Sequence, residues 1–118
     1  MELPPCPASP NCVSTEASDA RHAVAPFVLL RDDAWPEIRA AVLALSRTKV
    51  VEQSENSLRA ECRSALVGFI DDLTVELRIA QHTLALRSAA RTGYYDFGVN
   101  RRRIEQLRDA LRARGIVR

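Results

Sequence analysis

The sequence predicts a small α+β domain in which two helices cover one face of a four-stranded antiparallel sheet, preceded by an extended N-terminal arm. Three observations carry this. Ile38, Ala41, Val42 and Leu45 recur at helical spacing. Beyond Thr48 the period changes to two: Leu58, Ala60 and Cys62, then Leu73, Val75, Leu77 and Ile79, then Leu84 and Leu86 recur at every second position. Ile104, Leu107 and Leu111 then restore the helical spacing, and Gly115 follows as a stop.

Each element follows in order. Residues 1–31 hold five of the six prolines and read as an extended arm carrying a Cys motif, with residues 32–118 as one α+β domain. Asp33 is placed to cap a helix over 34–46, with Pro36 tolerated in its first turn and Trp35 extending the apolar face. Thr48–Gln53 is a short strand and Ser54–Ser57 a turn. Leu58, Ala60 and Cys62 alternate with Arg59, Glu61 and Arg63, and Leu73, Val75, Leu77 and Ile79 with Asp72, Thr74, Glu76 and Arg78. Leu84 and Leu86 continue the pattern. The result is a meander with one face toward a core and one toward water. With Gln81-His82 as the last hairpin's tip, Glu76 falls opposite Arg87 and Asp72 opposite Arg91, two favourable cross-strand pairs. Gly93–Gly98 is a loop, Asn100 a suitable N-cap, and 101–114 the second helix.

At 118 residues the chain has room for one core. Its 47% hydrophobic and 27% charged residues exclude a disordered chain. No apolar run reaches the roughly 18 residues of a membrane span, and no secretory signal is visible. A cytoplasmic location is therefore expected, or a periplasmic or membrane-associated one if the chain is a trimmed form. The net charge of +2 is unevenly spread: residues 87–118 carry nine Arg against Asp96, Glu105 and Asp109. A basic third suits polyanions. Yet all basic residues but Lys49 are Arg, a bias that genome composition also produces, and 5% aromatic residues give no stacking platform. Nucleic acid is not the expected partner.

Cys6 and Cys12 bracket a turn-rich Pro7-Ala8-Ser9-Pro10-Asn11 loop. A disulfide, two free thiols and, more remotely, a metal site with His22 and Asp19 all stand as readings. Cys62 reads as a small core residue. No catalytic constellation emerges: His22 lies in the arm, His82 at a hairpin tip, and Asp71 and Asp72 are strand neighbours that point to opposite faces. No cofactor is expected.

Two local rules are broken. Asp71 shares the inward face with 73, 75 and 77, so it is either buried among donors such as Ser88, Asn100 and nearby Arg side chains, or solvated at a frayed strand end. Arg101, Arg102 and Arg103 stand in the first helical turn, where cations oppose the helix dipole. Internal acids, including Asp71, Asp72 and Asp96, or a bound anion would answer this, and a solvated charge run is the third reading. The hairpin topology and the short 92–99 loop bring Asp71 and the Asn100–Arg103 turn to one end of the sheet, where they are expected to form one polar cluster.

Three segments, Pro5–Ser14, Gly68–Asp72 and Arg87–Glu105, together resemble the domain of unknown function 1499 family of bacteria and plastids. The resemblance spans nearly the whole chain. It implies the Cys pair, the Asp pair and the Arg-Ser…Asp…Gly…Asn-Arg run as shared features, and an export or membrane segment ahead of the Cys motif in many relatives. It implies no established activity. The expected function is a non-catalytic binding module whose polar cluster of Asp71, Ser88, Arg91, Asp96, Asn100, Arg101 and Arg103 recognises an anionic group on a small molecule, lipid or protein. The alternatives are a thiol-redox protein or enzyme using Cys6 and Cys12, and a structural accessory subunit.

Overall fold

A computed structural model describes residues 3–65 and 68–118; the arm residues 1–2 and residues 66–67 of the domain lie outside the described set. The fold is α+β, with two helices against an antiparallel sheet. The elements are β1 (Cys12–Ser14), β2 (Phe27–Val28), α1 (Trp35–Leu43), β3 (Thr48–Gln53), β4 (Ser57–Arg63), β5 (Ile70–Arg78), β6 (Thr83–Ala90) and α2 (Val99–Ala113).

The sheet has six strands rather than four. Its order is β1-β6-β5-β4-β3, and β2 adds to the same side of β6 as β1. The expected extended N-terminal arm is not seen: among the described residues this segment joins the sheet, with Cys12 paired to Ala89 and Phe27 to Leu84. Strands of three and two residues are too short to display alternation, which is why only prolines were visible there. Val13, Val24, Phe27 and Leu29 are all buried in the single core. Arg108 of α2 holds this segment, donating to Ala25 O (2.7 Å) and Pro26 O (3.1 Å) while its guanidinium lies 4.2 Å over the Phe27 ring.

Leu58, Leu73, Val75, Leu84 and Leu86 face Ile38 and Val42 of α1 and Ile104, Leu107 and Leu111 of α2, all of them fully or almost fully buried. The alternation and both apolar stripes thus form the core as their periods require. Asp33 does not cap α1; Ala34 holds that position, and Asp33 pairs with Arg31 at 3.3 Å. Gly115, at φ 70°, turns the chain back so that Ile116 and Val117 seal the core against Leu29.

The last hairpin differs by two residues from the predicted register. Arg78 pairs with Thr83, and Ile79–Gln81 form a 3-10 turn closed by His82 at φ 55°. A four-residue connection replaces the two-residue tip. Glu76 therefore faces Ala85 and bonds Arg78 at 3.0 Å, while Arg87 faces Thr74. Arg91 still reaches Asp72, at 2.6 Å, from beyond the strand end. Ile79 leaves the core and is half exposed, and His82 contacts Asp32.

Cys6 and Cys12 form a disulfide with Cα atoms 5.7 Å apart. Cys12 projects to the helix-free face beside Ala89, so the bridge ties the first residues across that face, where Arg87 Nη2 donates to Pro5 O at 3.3 Å. Cys62 is buried and free. Alkylation of the unfolded, unreduced chain should label Cys62 alone, and reduction should expose two more thiols. Replacing both Cys6 and Cys12 by Ser should lower stability by about 2 kcal/mol, the value for closing so short a loop. Three thiols without reductant would refute the bridge.

Candidate functional site

The first turn of α2 meets the start of β5 at one end of the sheet. Asp71, the second residue of β5, lies on the inward face and is 6% exposed, so the buried reading of this residue holds over the frayed one. Arg103 Nη2 lies 2.8 Å from Asp71 Oδ2, and both side chains are nearly buried. Asn100 is fully buried between them and β6. Its Oδ1 accepts from Ser88 Oγ (2.7 Å) and Arg103 Nη1 (2.8 Å). Its Nδ2 donates to Asp96 Oδ2 (2.8 Å) and to Asn11 O (3.3 Å). Every hydrogen-bonding position of the Asn100 amide is filled, which its complete burial demands. Asn100 is thus a hub inside the first turn rather than the N-cap.

The capping falls to Asp96. It accepts from the backbone N–H of Gly98 (2.9 Å) and of Asn100 (3.1 Å). The helix amides expected to receive an anion are therefore already occupied by a carboxylate of the chain itself.

Two of the expected site residues lie elsewhere. Arg91 sits on the helix-free face, held by Asp72 and Glu61 at 2.6 and 2.8 Å. Arg101 donates to Ala23 O (2.8 Å) and Arg21 O (3.0 Å), fastening the N-terminal segment. Cys6 and Cys12 are also outside the cluster. His22 engages Asp19 (2.6 Å) through one ring nitrogen and Ser9 O (2.9 Å) through the other, so neither is free to act as a base for a thiol.

Sequence reasoning missed Asn11, which is 3% exposed and joins the N-terminal loop to the cluster through its carbonyl and through Nδ2 to Gly93 O at 2.8 Å. It also missed Arg47 and Arg63. Arg47, at φ 52°, sits where the chain turns from α1 into β3, and pairing of β3 with β4 sets Arg63 beside it. Arg63 N donates to Arg47 O, and Arg47 Nε to Arg63 O, both at 3.0 Å. With Arg102 and Arg103 they line a cleft of about 280 Å³, joined by Ser46, Ser64 and Gln106. Arg47, Arg63 and Arg102 donate only to main-chain carbonyls, those of Arg63, Gly68 (3.2 Å) and Phe97 (2.9 Å). Among the described residues none of the three pairs with a carboxylate. Neither position breaks a local rule in the sequence, so no signal pointed to them.

The family described as "Protein of unknown function (DUF1499)" matches residues 2–111. The chain belongs to this family. No match was found among curated proteins or among solved structures. The DUF1499 match takes in the Cys pair, Asn11, Asp71, Ser88 and the Asp96–Arg103 turn, so the whole polar cluster lies inside the family region.

The two carboxylates of the cluster are held in opposite ways. Burial pushes the Asp71 carboxyl above its ordinary pKa, and Arg103 offsets this only in part. Burial alone would raise Asp96 too, but hydrogen bonds from the Asn100 side chain and the Gly98 and Asn100 N–H groups outweigh it, and its pKa is lowered. The stabilisation from Asp96 is therefore present above the unfolded carboxyl pKa and lost as pH falls through the lower folded value. The Asp71 contribution has the reverse sign: it is fullest below the unfolded value and declines as pH rises through the raised folded one.

Asp71→Ala should cost about 3–5 kcal/mol in urea melts, because Arg103 is left buried without its counter-charge. Asp71→Asn should cost less, since the amide oxygen still accepts. An Asp71→Ala variant as stable as the parent would refute the buried pair. On acidification Asp96→Asn should lose less stability than the parent, and equal losses would show that Asp96 is not held in its ionised form.

Proposed function

We propose that this protein is a non-catalytic binding module that holds an anionic group in the arginine cleft beside the Asn100 cluster. One observation carries the reading: Arg47, Arg63 and Arg102 converge on one cleft, and among the described residues no carboxylate neutralises them. Guanidinium groups gathered in this way repel one another, and a phosphate, sulfonate or carboxylate group would relieve that repulsion with bidentate hydrogen bonds. Arg103 stands between the two parts. Its Nη2 is committed to Asp71 and its Nη1 to Ser88 and Asn100, so it fixes the wall of the cleft while the other three supply free N–H donors.

This moves the binding role from Arg91 and Arg101, both committed elsewhere, to Arg47, Arg63 and Arg102. The disulfide acts in this reading as a structural tie: Cys12 is completely buried, and it favours an oxidising compartment.

Thermal melts in sodium pyrophosphate at constant ionic strength test the proposal. The midpoint should rise and saturate, since a site at about 100-fold saturation adds about 2.7 kcal/mol. The Arg63→Ala/Arg102→Ala variant should abolish the rise, and Arg39→Ala, outside the cleft, should keep it. A parent midpoint that does not respond would leave the polar cluster as a purely structural feature and the chain as an accessory subunit.

A further inference from the structure

Exposed aromatic residues adjoin the segments that line the arginine cleft. Phe69, Tyr94, Tyr95 and Phe97 are 60%, 54%, 69% and 86% exposed, and they are four of the six aromatic residues in the chain. All four lie at the end of the sheet where the cleft opens. Phe69 closes onto the cleft residue Ser64, its N–H donating to Ser64 Oγ at 3.0 Å and its carbonyl accepting from Ser64 N at 2.8 Å. The Phe97 carbonyl accepts from the cleft residue Arg102, and Val99, itself 37% exposed, lines the cleft. Arg91 N donates to Ile70 O at 2.9 Å, so the loop bearing the tyrosines leaves the sheet next to Phe69. The Tyr95 and Phe97 rings stack at 6.4 Å, and Tyr94 meets Tyr95 edge-on at 4.8 Å.

Phe97 is also held in an unfavourable conformation. Its φ is 54°, a region that bulky side chains rarely adopt. The hydrogen bond from Arg102 to its carbonyl and the left-handed Gly98 that follows hold it there, and the ring projects into solvent. Core packing offers no reason for this, because Phe97 is 86% exposed.

Two unmet needs therefore share one surface: cations without counter-charge and aromatic rings without cover. A small inorganic anion answers only the first. Resting on the anion-binding reading above, we propose that this end of the molecule is a membrane-docking face, with the arginines on anionic lipid headgroups and Phe69, Phe97 and the tyrosines at the interfacial level of the bilayer. Aromatic rings prefer that level, and arginines adjoining it gain from the negative surface potential. The one carboxylate among residues 92–99, Asp96, is turned inward onto Gly98 and Asn100, so it does not oppose the approach.

Co-sedimentation of the full chain with lipid vesicles tests this. The chain should pellet with vesicles of equal parts phosphatidylcholine and phosphatidylglycerol and stay in solution with phosphatidylcholine alone. Phe97→Asn, polar and tolerant of the same backbone conformation, should weaken the partition about tenfold or more while leaving the pyrophosphate-induced rise in melting midpoint intact. Arg63→Ala/Arg102→Ala should abolish both. A chain that responds to pyrophosphate but ignores the phosphatidylglycerol vesicles would overturn the membrane proposal, leave the anion reading standing and assign the rim to a protein partner. No response to either probe would overturn both. Vesicle binding unchanged in Phe97→Asn and Phe69→Ser would overturn the aromatic part.

Discussion

A side-chain amide with no access to water sets the terms for this end of the molecule. Asn100 is completely buried, and its two oxygen lone-pair directions and two N–H groups must be matched by the surrounding protein. The matches come from Ser88 on β6, Arg103 three residues further along α2, Asp96 in the preceding loop, and the carbonyl of Asn11 in the N-terminal segment. No one of these can move without leaving a buried polar group unpaired. The start of α2 is thereby fixed against the sheet, and Arg103 is aimed at Asp71.

That constraint explains how a first turn bearing three arginines is tolerated. Their charges oppose the helix dipole, and the fold answers each one differently. Arg103 turns inward to a carboxylate, Arg101 reaches across to the carbonyls of residues 21 and 23, and Arg102 folds back onto the carbonyl of Phe97. Asp96 meanwhile supplies the negative charge at the helix start. Arg101 and Arg108 bind successive carbonyls of residues 21–26, so α2 holds the N-terminal segment by charge-assisted bonds where that segment has almost no regular structure.

The parts of this fold that were legible in the sequence are those in which a period persists. Alternation over β4, β5 and β6 placed Leu58, Leu73, Val75 and Leu86 in the core, and the stripe of α2 placed Ile104, Leu107 and Leu111 there. The polar cluster was legible for the opposite reason: Asp71 interrupts the alternation, and a charge on an inward position needs partners. What was not legible lacked both signals. β1 and β2 are too short to have a period, and hairpin register depends on whether residues 79–82 form a tight tip or a helical turn, which composition does not decide. Arg47 and Arg63 stand 16 residues apart and meet only because β3 and β4 pair. Pairing of strands, not any local rule, puts them beside α2.

The cluster and the cleft are two faces of the same arrangement, with opposite electrostatic character. Inside, each charge has its partner: Asp71 with Arg103, Asp96 with the helix amides. Outside, among the described residues, Arg47, Arg63 and Arg102 donate to carbonyl oxygens, which carry partial rather than full negative charge. If the arginines served stability alone, the outer group would be expected to resemble the helix-free face, where Arg59 and Arg91 are interleaved with Glu52, Glu61 and Asp72. The chain thus pairs Arg59 and Arg91 with carboxylates on the helix-free face and, among the described residues, leaves Arg47, Arg63 and Arg102 at the cleft without one. In the proposed reading, an anion would meet donors carried by a scaffold whose buried polar groups already have their partners, so binding would not have to reorder it.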